Sequence, residues 1–169
     1  MGVAGCGKSS LARLLAQHWG WVFIEGDDFH PPANKAKMAA GQALVDADRL
    51  GWLDRLGEEL RRHPGGAVLS CSALRRSHRD RLRAASPGLR FVHLVIDRPT
   101  ALARVSARAG HFFSPALVDS QFETLEPPVH EPGVVSLDAT CAPKELVQAV
   151  ITFALDNLGR STPGQSAPD

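Results

Sequence analysis

The sequence is poor in the features that mark secreted or membrane proteins. Cysteine occurs three times, at Cys6, Cys71 and Cys141, with wide spacing and no C-x-x-C pair. An odd and scattered set argues against a disulfide framework or a zinc site, and it fits a reducing compartment. No apolar run approaches the ~20 residues that a membrane-spanning helix needs, and we find no secretory leader pattern. We therefore expect a cytoplasmic protein without a membrane partner.

An excess of charge of either sign is also lacking. The 19 basic and 18 acidic side chains give a formal net charge of +1. This near-equality of positive and negative charge does not favour nucleic acid as a partner. Small molecules are the better expectation. The chain has 169 residues, of which 44% are hydrophobic, which is enough for one sizeable core. We expect one domain over residues 1–158, followed at 159–169 by a disordered tail rich in Gly, Pro and Ser.

The first nine residues carry the most specific motif, because Gly2, Gly7, Lys8 and Ser9 fit the pattern G-x-x-x-x-G-K-[ST]. In such a loop, glycines let backbone N–H groups converge on phosphate oxygens at the start of a helix. Lys8 would contact the β- and γ-phosphates, and the Ser9 hydroxyl is a ligand suited to Mg²⁺. The alternative is a glycine-rich turn before an ordinary helix. The predicted nucleotide contacts are Gly2, Gly5, Cys6, Gly7, Lys8, Ser9 and Ser10.

A strand normally precedes this motif, but here only Met1 stands before Gly2. We therefore expect the first strand of the sheet to be largely missing from this chain. Downstream, short apolar runs alternate with segments of helical periodicity, which predicts a parallel α/β sheet with helices on both faces. The predicted strands are 21–24, 67–71, 91–96 and 134–137. The predicted helices are 9–19, 33–40, 47–62 (capped by Asp46), 75–83, 99–109, 114–125 and 144–158.

Candidate catalytic residues follow these elements. Asp27 comes just after the first complete strand, where ligands bind in open α/β sheets, and could accept a hydrogen bond or a proton from an acceptor hydroxyl. Its structural alternative is a capping or ion-paired aspartate. Arg104 and Arg108 lie one helical turn apart and suit a lid, around residues 104–125, that closes on a triphosphate. Their alternative is an exposed helix face, which is also our expectation for the arginines of residues 75–83. His93 is expected to be a buried sheet residue.

Several separate stretches, in order along the chain, form a recognisable set. They are residues 2–9, Gly26-Asp27-Asp28-Phe29-His30-Pro31 with Asn34, Lys37 and Met38, Asp46-Ala47-Asp48-Arg49 with Trp52-Leu53, Cys71-Ser72-Ala73-Leu74, Arg79-Asp80, Gly110-His111-Phe112, and residues 121–127. Together they resemble the gluconate kinases (gluconokinases), small P-loop kinases related to the shikimate kinases, and the resemblance runs from Gly2 to about Leu158. The chain departs from the family at Ala43-Leu44-Val45, where Pro-Leu-Asn is usual, and at Arg75 and Arg76, where lysines are usual.

The resemblance implies ATP- and Mg²⁺-dependent phosphorylation of D-gluconate at its 6-hydroxyl by a cytoplasmic homodimer. It also implies that the missing strand is a central one. Lys8 and Ser9 would hold phosphates and Mg²⁺, Asp27 would engage the acceptor, and Arg104 and Arg108 would belong to the lid. Two alternatives stay open: a kinase for another small hydroxy acid such as shikimate, and a nucleotide-binding module without catalysis. Candidates for binding the sugar acid, besides Asp27, are His30, Arg49, Arg75, His111 and Gln121.

Overall fold

The computed structural model describes residues 1–107 and 116–158. Each predicted strand and helix is present within these residues, with ends that differ by a few positions. The predicted tail and part of the predicted lid lie outside the described residues. The strands are β1 (Val22–Glu25), β2 (Ala67–Ser70), β3 (Phe91–Val95) and β4 (Val134–Asp138). The α-helices are α1 (Lys8–Trp19), α2 (Pro32–Ala39), α3 (Asp46–Arg62), α4 (Arg76–Ala85), α5 (Arg98–Ser106), α6 (Leu117–Thr124) and α7 (Pro143–Leu158), and Gly26–Phe29 form a 3₁₀ turn.

The sheet consists of two halves. β1 pairs in parallel with β2, and β3 pairs in parallel with β4. In the described part of the chain, the backbone hydrogen bonds that link the two halves are those of the first two residues. Leu94 donates its N–H to the Met1 carbonyl at 3.0 Å, the Met1 ammonium donates to the Val92 carbonyl, and Gly2 donates its N–H to the Ser72 carbonyl at 3.1 Å. The expectation is confirmed: the first central strand is reduced to its last two residues.

Helices cover both faces of this divided sheet. One core cluster joins Leu11 and Leu15 of α1 with Val150 of α7, and the other is built around Trp52 and Leu56 of α3. Neighbouring residues of one strand contribute to different clusters, since successive side chains of a strand point to opposite faces. The parallel α/β architecture predicted from the sequence is therefore present, with α1 and α7 on one face and α3 and α4 on the other.

The N-terminus of α3 differs from the sequence-based prediction. We expected Asp46 to cap this helix, but Asp46 is its first helical residue and Val45 holds the cap position. The carboxylate of Asp48 accepts the backbone N–H of Val45 at 3.0 Å, and it also accepts a hydrogen bond from Lys37 at 2.7 Å. The Asp48 carboxylate therefore supplies one half of a capping box. The other half is missing because a valine side chain has no acceptor, and the Asp48 N–H donates to the Val45 carbonyl at 3.1 Å instead.

His93 lies in β3 as expected, 5% exposed, with its Nδ1 atom 3.2 Å from the Ser136 hydroxyl. Burial lowers its pKa from 6.5 to about 4, so the imidazole is neutral at neutral pH. Because the unfolded chain binds this proton more readily, the folded state loses stability as the pH falls from about 6.5 towards 4.

Arg79 of α4 contradicts the expectation of a solvated arginine face, since its side chain is fully buried. Its guanidinium donates to the carbonyls of Ala73, Leu74 and Glu126 and pairs with the carboxylate of Glu131. Hydrogen bonds from Arg79, and then from Arg83, lower the pKa of Glu131 to about 2. The Arg79 guanidinium holds the segment after α6 against α4, because it donates both to carbonyls just before α4 and to the Glu126 carbonyl just after α6.

Replacing Arg79 with methionine should lower the free energy of unfolding by about 3–5 kcal/mol, since it leaves the buried Glu131 charge without its main partner. Urea unfolding followed by far-UV circular dichroism measures this loss. Arg81→Met is the matched control on the same helix, because Arg81 pairs with Asp54 at the surface, where a pair contributes about 1 kcal/mol or less. Equal losses in the two variants would contradict the structural role given to Arg79.

No helix among the described residues is long and apolar enough to cross a membrane.

Candidate active site

The loop before α1 has the backbone that phosphate binding requires. Gly2, Gly5 and Gly7 have φ angles of 137°, 81° and 90°, values that residues with a side chain rarely adopt. A Cβ atom on Gly5 would lie 2.6 Å from the Ala101 carbonyl oxygen. The loop thus folds tightly against α5 and leads directly into the N-terminus of α1, where backbone N–H groups favour anions.

This loop forms one wall of a cavity of about 160 Å³ at the carboxyl ends of β1 and β2. Asp27 and Lys8 both line this cavity, so the structure brings the predicted phosphate loop and the predicted acceptor residue into one site. The predicted residues that line it are Gly5, Gly7, Lys8, Ser9, Asp27, His30, Arg49 and Gln121.

Lys8 and Ser9, which we predict to contact phosphate and Mg²⁺, both have hydrogen-bond partners within the protein. Lys8 donates from Nζ to the Val3 carbonyl at 2.8 Å and lies 3.9 Å from the Cys6 sulfur. The Ser9 hydroxyl lies 3.2 Å from that of Ser70, the last residue of β2. No group of three or more His, Cys, Asp or Glu residues within the described ranges could hold a metal ion. A serine hydroxyl is an oxygen ligand of the kind that Mg²⁺ prefers.

His30 forms part of the wall beyond Asp27. Its ring stacks on Trp52 with 4.3 Å between ring centroids, and Trp52 is fixed by donating from Nε1 to the Gly26 carbonyl at 2.7 Å. Burial lowers the pKa of His30 to about 4, against a smaller opposing effect of Asp27. His30 is therefore neutral at neutral pH, and its buried Nδ1 atom has no hydrogen-bond partner among the described residues. Such an imidazole can exchange hydrogen bonds with a polar ligand.

Arg49 is the basic side chain that α3 directs into this cavity. It is 8% exposed, and its Nη1 atom donates to the Leu44 carbonyl at 2.6 Å. Burial lowers the pKa of Arg49, yet a guanidinium keeps its charge at neutral pH. The carbonyl contact fixes the side chain and leaves further N–H donors for a carboxylate, which a guanidinium binds in a planar, two-point geometry.

Gln121 of α6 contacts the phosphate loop itself. Its side-chain oxygen accepts the backbone N–H of Ala4 at 2.6 Å. Arg104 of α5 also contacts the loop. Its Nη1 atom is 3.5 Å from the Gly5 carbonyl oxygen and 3.2 Å from the Ala139 carbonyl oxygen. Arg104 is exposed and does not line the cavity. The helices at the two ends of the predicted lid, α5 and α6, therefore both contact the phosphate loop.

The remaining candidates are not in the cavity wall. Arg75 lies beside Asp46 at 3.3 Å, and Ser10 is exposed on α1. The Cys6 side chain is buried, and Gly2 donates its backbone N–H to the Ser72 carbonyl. The predictions for Arg108 and His111 fall outside the described residues.

The cavity also contains residues that our sequence-based list of site residues omitted. Glu25 and Asp28 flank the predicted Asp27, and Ser72 follows β2. Ser70 contacts Ser9 from the end of the same strand. Their shared signal is position, because all four lie at or just beyond the carboxyl end of a parallel strand, where ligands bind in this architecture.

The fold and the site together define the class of protein, which is that of the P-loop kinases. A family model described as an AAA domain matches residues 1–128. The gluconokinase of Gluconobacter oxydans (strain 621H) is 42% identical over 155 residues, spanning 89% of this chain and 86% of the relative. The chain belongs to the gluconokinase family.

Solved structures agree with this membership. A gluconokinase from Sinorhizobium meliloti 1021 superposes with a TM-score of 0.85 at 43% identity, covering 96% of this chain and 95% of the other. A sugar kinase from Janibacter sp. HTCC2649 superposes with a TM-score of 0.86 at 35% identity, covering 96% of both chains.

Replacing Gly5 with alanine should lower kcat/KM for Mg·ATP by about 5- to 150-fold. The new Cβ atom meets the Ala101 carbonyl and must adopt a positive φ, a strain of about 1–3 kcal/mol that displaces the loop. Steady-state kinetics with varied ATP measure the effect. Gly51→Ala is the control, because its Cβ meets nothing within 4 Å on α3; a similar loss there would show that the effect is not specific to the loop.

Proposed function

We propose that this chain transfers the γ-phosphoryl group of ATP to the 6-hydroxyl of D-gluconate, giving 6-phospho-D-gluconate and ADP. Membership of the gluconokinase family supports the reaction. The observation that carries the proposal is the composition of the cavity, which the phosphate loop, Asp27 and Arg49 line together. A phosphate loop provides for the donor, a carboxylate for an acceptor hydroxyl and a guanidinium for a sugar-acid carboxylate.

The phosphate loop provides the donor half of the site. Backbone N–H groups around Gly5 and Gly7 and the start of α1 bind phosphate oxygens, and Lys8 leaves the Val3 carbonyl to contact them. Mg²⁺, when bound with ATP, neutralises charge on the phosphates, and the Ser9 hydroxyl is its ligand from the chain. Phosphoryl transfer depends mainly on positioning and charge stabilisation, which these groups supply.

Asp27, Arg49 and His30, which line the same cavity, provide the acceptor half. Asp27 accepts a hydrogen bond from the 6-hydroxyl, orients it and takes its proton as the bond to phosphorus forms. Arg49 holds the carboxylate at the other end of gluconate, and neutral His30 exchanges hydrogen bonds with hydroxyls between them. Anchoring the carboxylate fixes the distance between the reacting hydroxyl and the phosphate, since an extended sugar acid is then held at both ends.

Residues outside the cavity wall complete the proposal. Arg104, with Arg108, belongs to a lid that stabilises charge on the transferred group. Gln121 fixes the loop to α6, and His111 is a further sugar-acid candidate. We propose a cytoplasmic homodimer, as the resemblance of the sequence to this family implies.

ADP release with Mg·ATP and a panel of acids, including gluconate and shikimate, tests the proposed reaction. We expect turnover with gluconate and little with shikimate. Faster turnover of another hydroxy acid would assign the chain to that substrate. ATP binding without turnover of any acid would favour the nucleotide-binding module.

Asp27→Asn should lower kcat for gluconate by about 10²- to 10⁴-fold, because an amide cannot take the hydroxyl proton. Rapid-quench kinetics with saturating ATP measure the chemical step. Asp54→Asn is the control, because Asp54 pairs with Arg81 at the surface and does not line the cavity; it should retain most of the rate. An unchanged kcat in the Asp27 variant would remove this residue from the catalytic role.

Arg49→Lys should raise KM for gluconate about 10- to 150-fold with a smaller change in KM for ATP. The charge is retained, but a two-point contact to the carboxylate, worth about 1.5–3 kcal/mol, is lost. Arg75→Lys is the control, because Arg75 lies outside the cavity beside Asp46. If the Arg75 variant showed the larger increase in gluconate KM, the assignment of the carboxylate site would be wrong.

A further inference from the structure

Helix α3 carries two residues, one turn apart, that bear on the geometry of the site. Arg49 lines the cavity, and Trp52, 1% exposed, is buried in a core cluster with Leu53 and Leu56 of the same helix. Residues three positions apart are neighbours on one helix face. Because a close-packed core resists small displacements, Arg49 and Trp52 keep a constant separation. Whatever Trp52 holds is therefore fixed relative to Arg49.

Trp52 holds the 3₁₀ turn that carries Asp27. Its Nε1 atom donates to the carbonyl of Gly26, the residue directly before Asp27, at 2.7 Å. Its ring stacks on His30, the residue directly after the turn, with 4.3 Å between the ring centroids and 11° between the ring planes. One buried side chain therefore contacts both ends of the turn Gly26–Phe29.

The turn is also closely packed against the end of β2. A Cβ atom on Gly26 would lie 2.4 Å from the Ser70 carbonyl oxygen and 3.1 Å from the Cys71 side chain. A shift of the turn towards β2 therefore meets backbone atoms, and a shift away from α3 breaks the hydrogen bond from Trp52. Together these contacts determine where Asp27 lies relative to α3.

The Arg49 end of the site is fixed by separate contacts. The Arg49 guanidinium donates to the Leu44 carbonyl at 2.6 Å. The Leu44 side chain is buried in a small core cluster with Met38 and Leu117, which does not include Trp52. A change at Trp52 therefore alters the position of Asp27 and leaves the guanidinium in place.

The separation of these two groups matters for a chain-like substrate. In an extended sugar acid, the carboxylate and the terminal hydroxyl lie at opposite ends of the carbon chain. If the carboxylate stays on Arg49, the loss of one carbon draws the terminal hydroxyl back by about 1 Å. A misplacement of about 1 Å at the reacting atoms lowers a rate by up to about 10²-fold. A fixed distance between Arg49 and Asp27 therefore discriminates between acids of different length.

We propose that Trp52 is a positioning residue that sets the distance between Arg49 and Asp27, and that this distance selects six-carbon sugar acids over five-carbon ones. The inference rests on the proposed function, since it assigns the two ends of the acid to these two residues. Trp52 does not line the cavity. It acts through the Gly26 carbonyl and the ring of His30, and the property that it controls is the chain length of the substrate.

The test compares D-gluconate with D-xylonate, which has the same configuration at the three carbons next to the carboxylate and one carbon fewer before the terminal hydroxyl. With saturating Mg·ATP, the wild-type chain should have a kcat/KM for gluconate about 10²-fold above that for xylonate. Trp52→Phe keeps an aromatic ring against His30 but has no N–H for the Gly26 carbonyl. It should lower this ratio about tenfold, through a lower kcat for gluconate with little change in KM for gluconate or ATP.

Leu56→Val is the matched control for a general loosening of the core. Leu56 is fully buried in the same core cluster, one turn further along α3. Thermal unfolding establishes that both variants fold, and the kinetics are measured below the Tm of each. We expect Leu56→Val to keep the wild-type ratio even where it lowers the Tm as much as Trp52→Phe does.

An unchanged gluconate-to-xylonate ratio in Trp52→Phe, or an equal fall in both variants, would overturn the inference and leave the proposed reaction in place. Equal kcat/KM values for the two acids in the wild-type chain would also overturn it, and this measurement does not depend on the folding of a variant. Turnover of neither acid by the wild-type chain would overturn the proposed function, and the inference with it.

Discussion

The structure depends on the hydrogen bonds that two residues make to two separate half-sheets. Met1 pairs with Val92 and Leu94, and Gly2 pairs with Ser72. The same two residues lead directly into the phosphate loop, so these contacts help to position the nucleotide site relative to β1 and β2. The core clusters also join the halves, since one contains Val68 of β2 with Leu94 of β3 and the other contains Ile24 of β1 with Phe91 of β3. The backbone connection between the halves is short and lies beside the site, and apolar packing on both faces supports it.

Much of the fold could be predicted from the sequence because its signals are local. Apolar periodicity defines α1, α3 and α7, and short apolar runs define the strands. The phosphate loop is equally local, since the spacing of Gly2, Gly7 and Lys8 is sufficient to predict it. The absence of a strand before this loop was also evident from the sequence, although the separation of the sheet into two pairs requires the coordinates.

The remainder depends on contacts between distant parts of the chain. A run of arginines is typical of a solvated face, yet Arg79 is buried because Glu131 and three carbonyls converge on it. Nothing in the local pattern distinguishes Arg79 from Arg81. The same limit applies to the sugar-acid candidates, for which sequence alone could not separate Arg49 from Arg75. Only the packing of α3 against the 3₁₀ turn at Gly26–Phe29 places the first of these in the cavity.

The hydrogen bond between Gln121 and the Ala4 N–H has a consequence for the order of events at the loop. A backbone amide has one hydrogen and makes one strong hydrogen bond at a time. A phosphate oxygen that takes the Ala4 N–H must therefore displace the Gln121 oxygen, and the departure of phosphate restores it. A phosphate bond to the Ala4 N–H and the resting Gln121 contact are therefore mutually exclusive, so filling of the loop is coupled to release of α6. By linkage, a ligand that draws α6 away from the loop strengthens phosphate binding, and bound phosphate strengthens the binding of that ligand by the same factor.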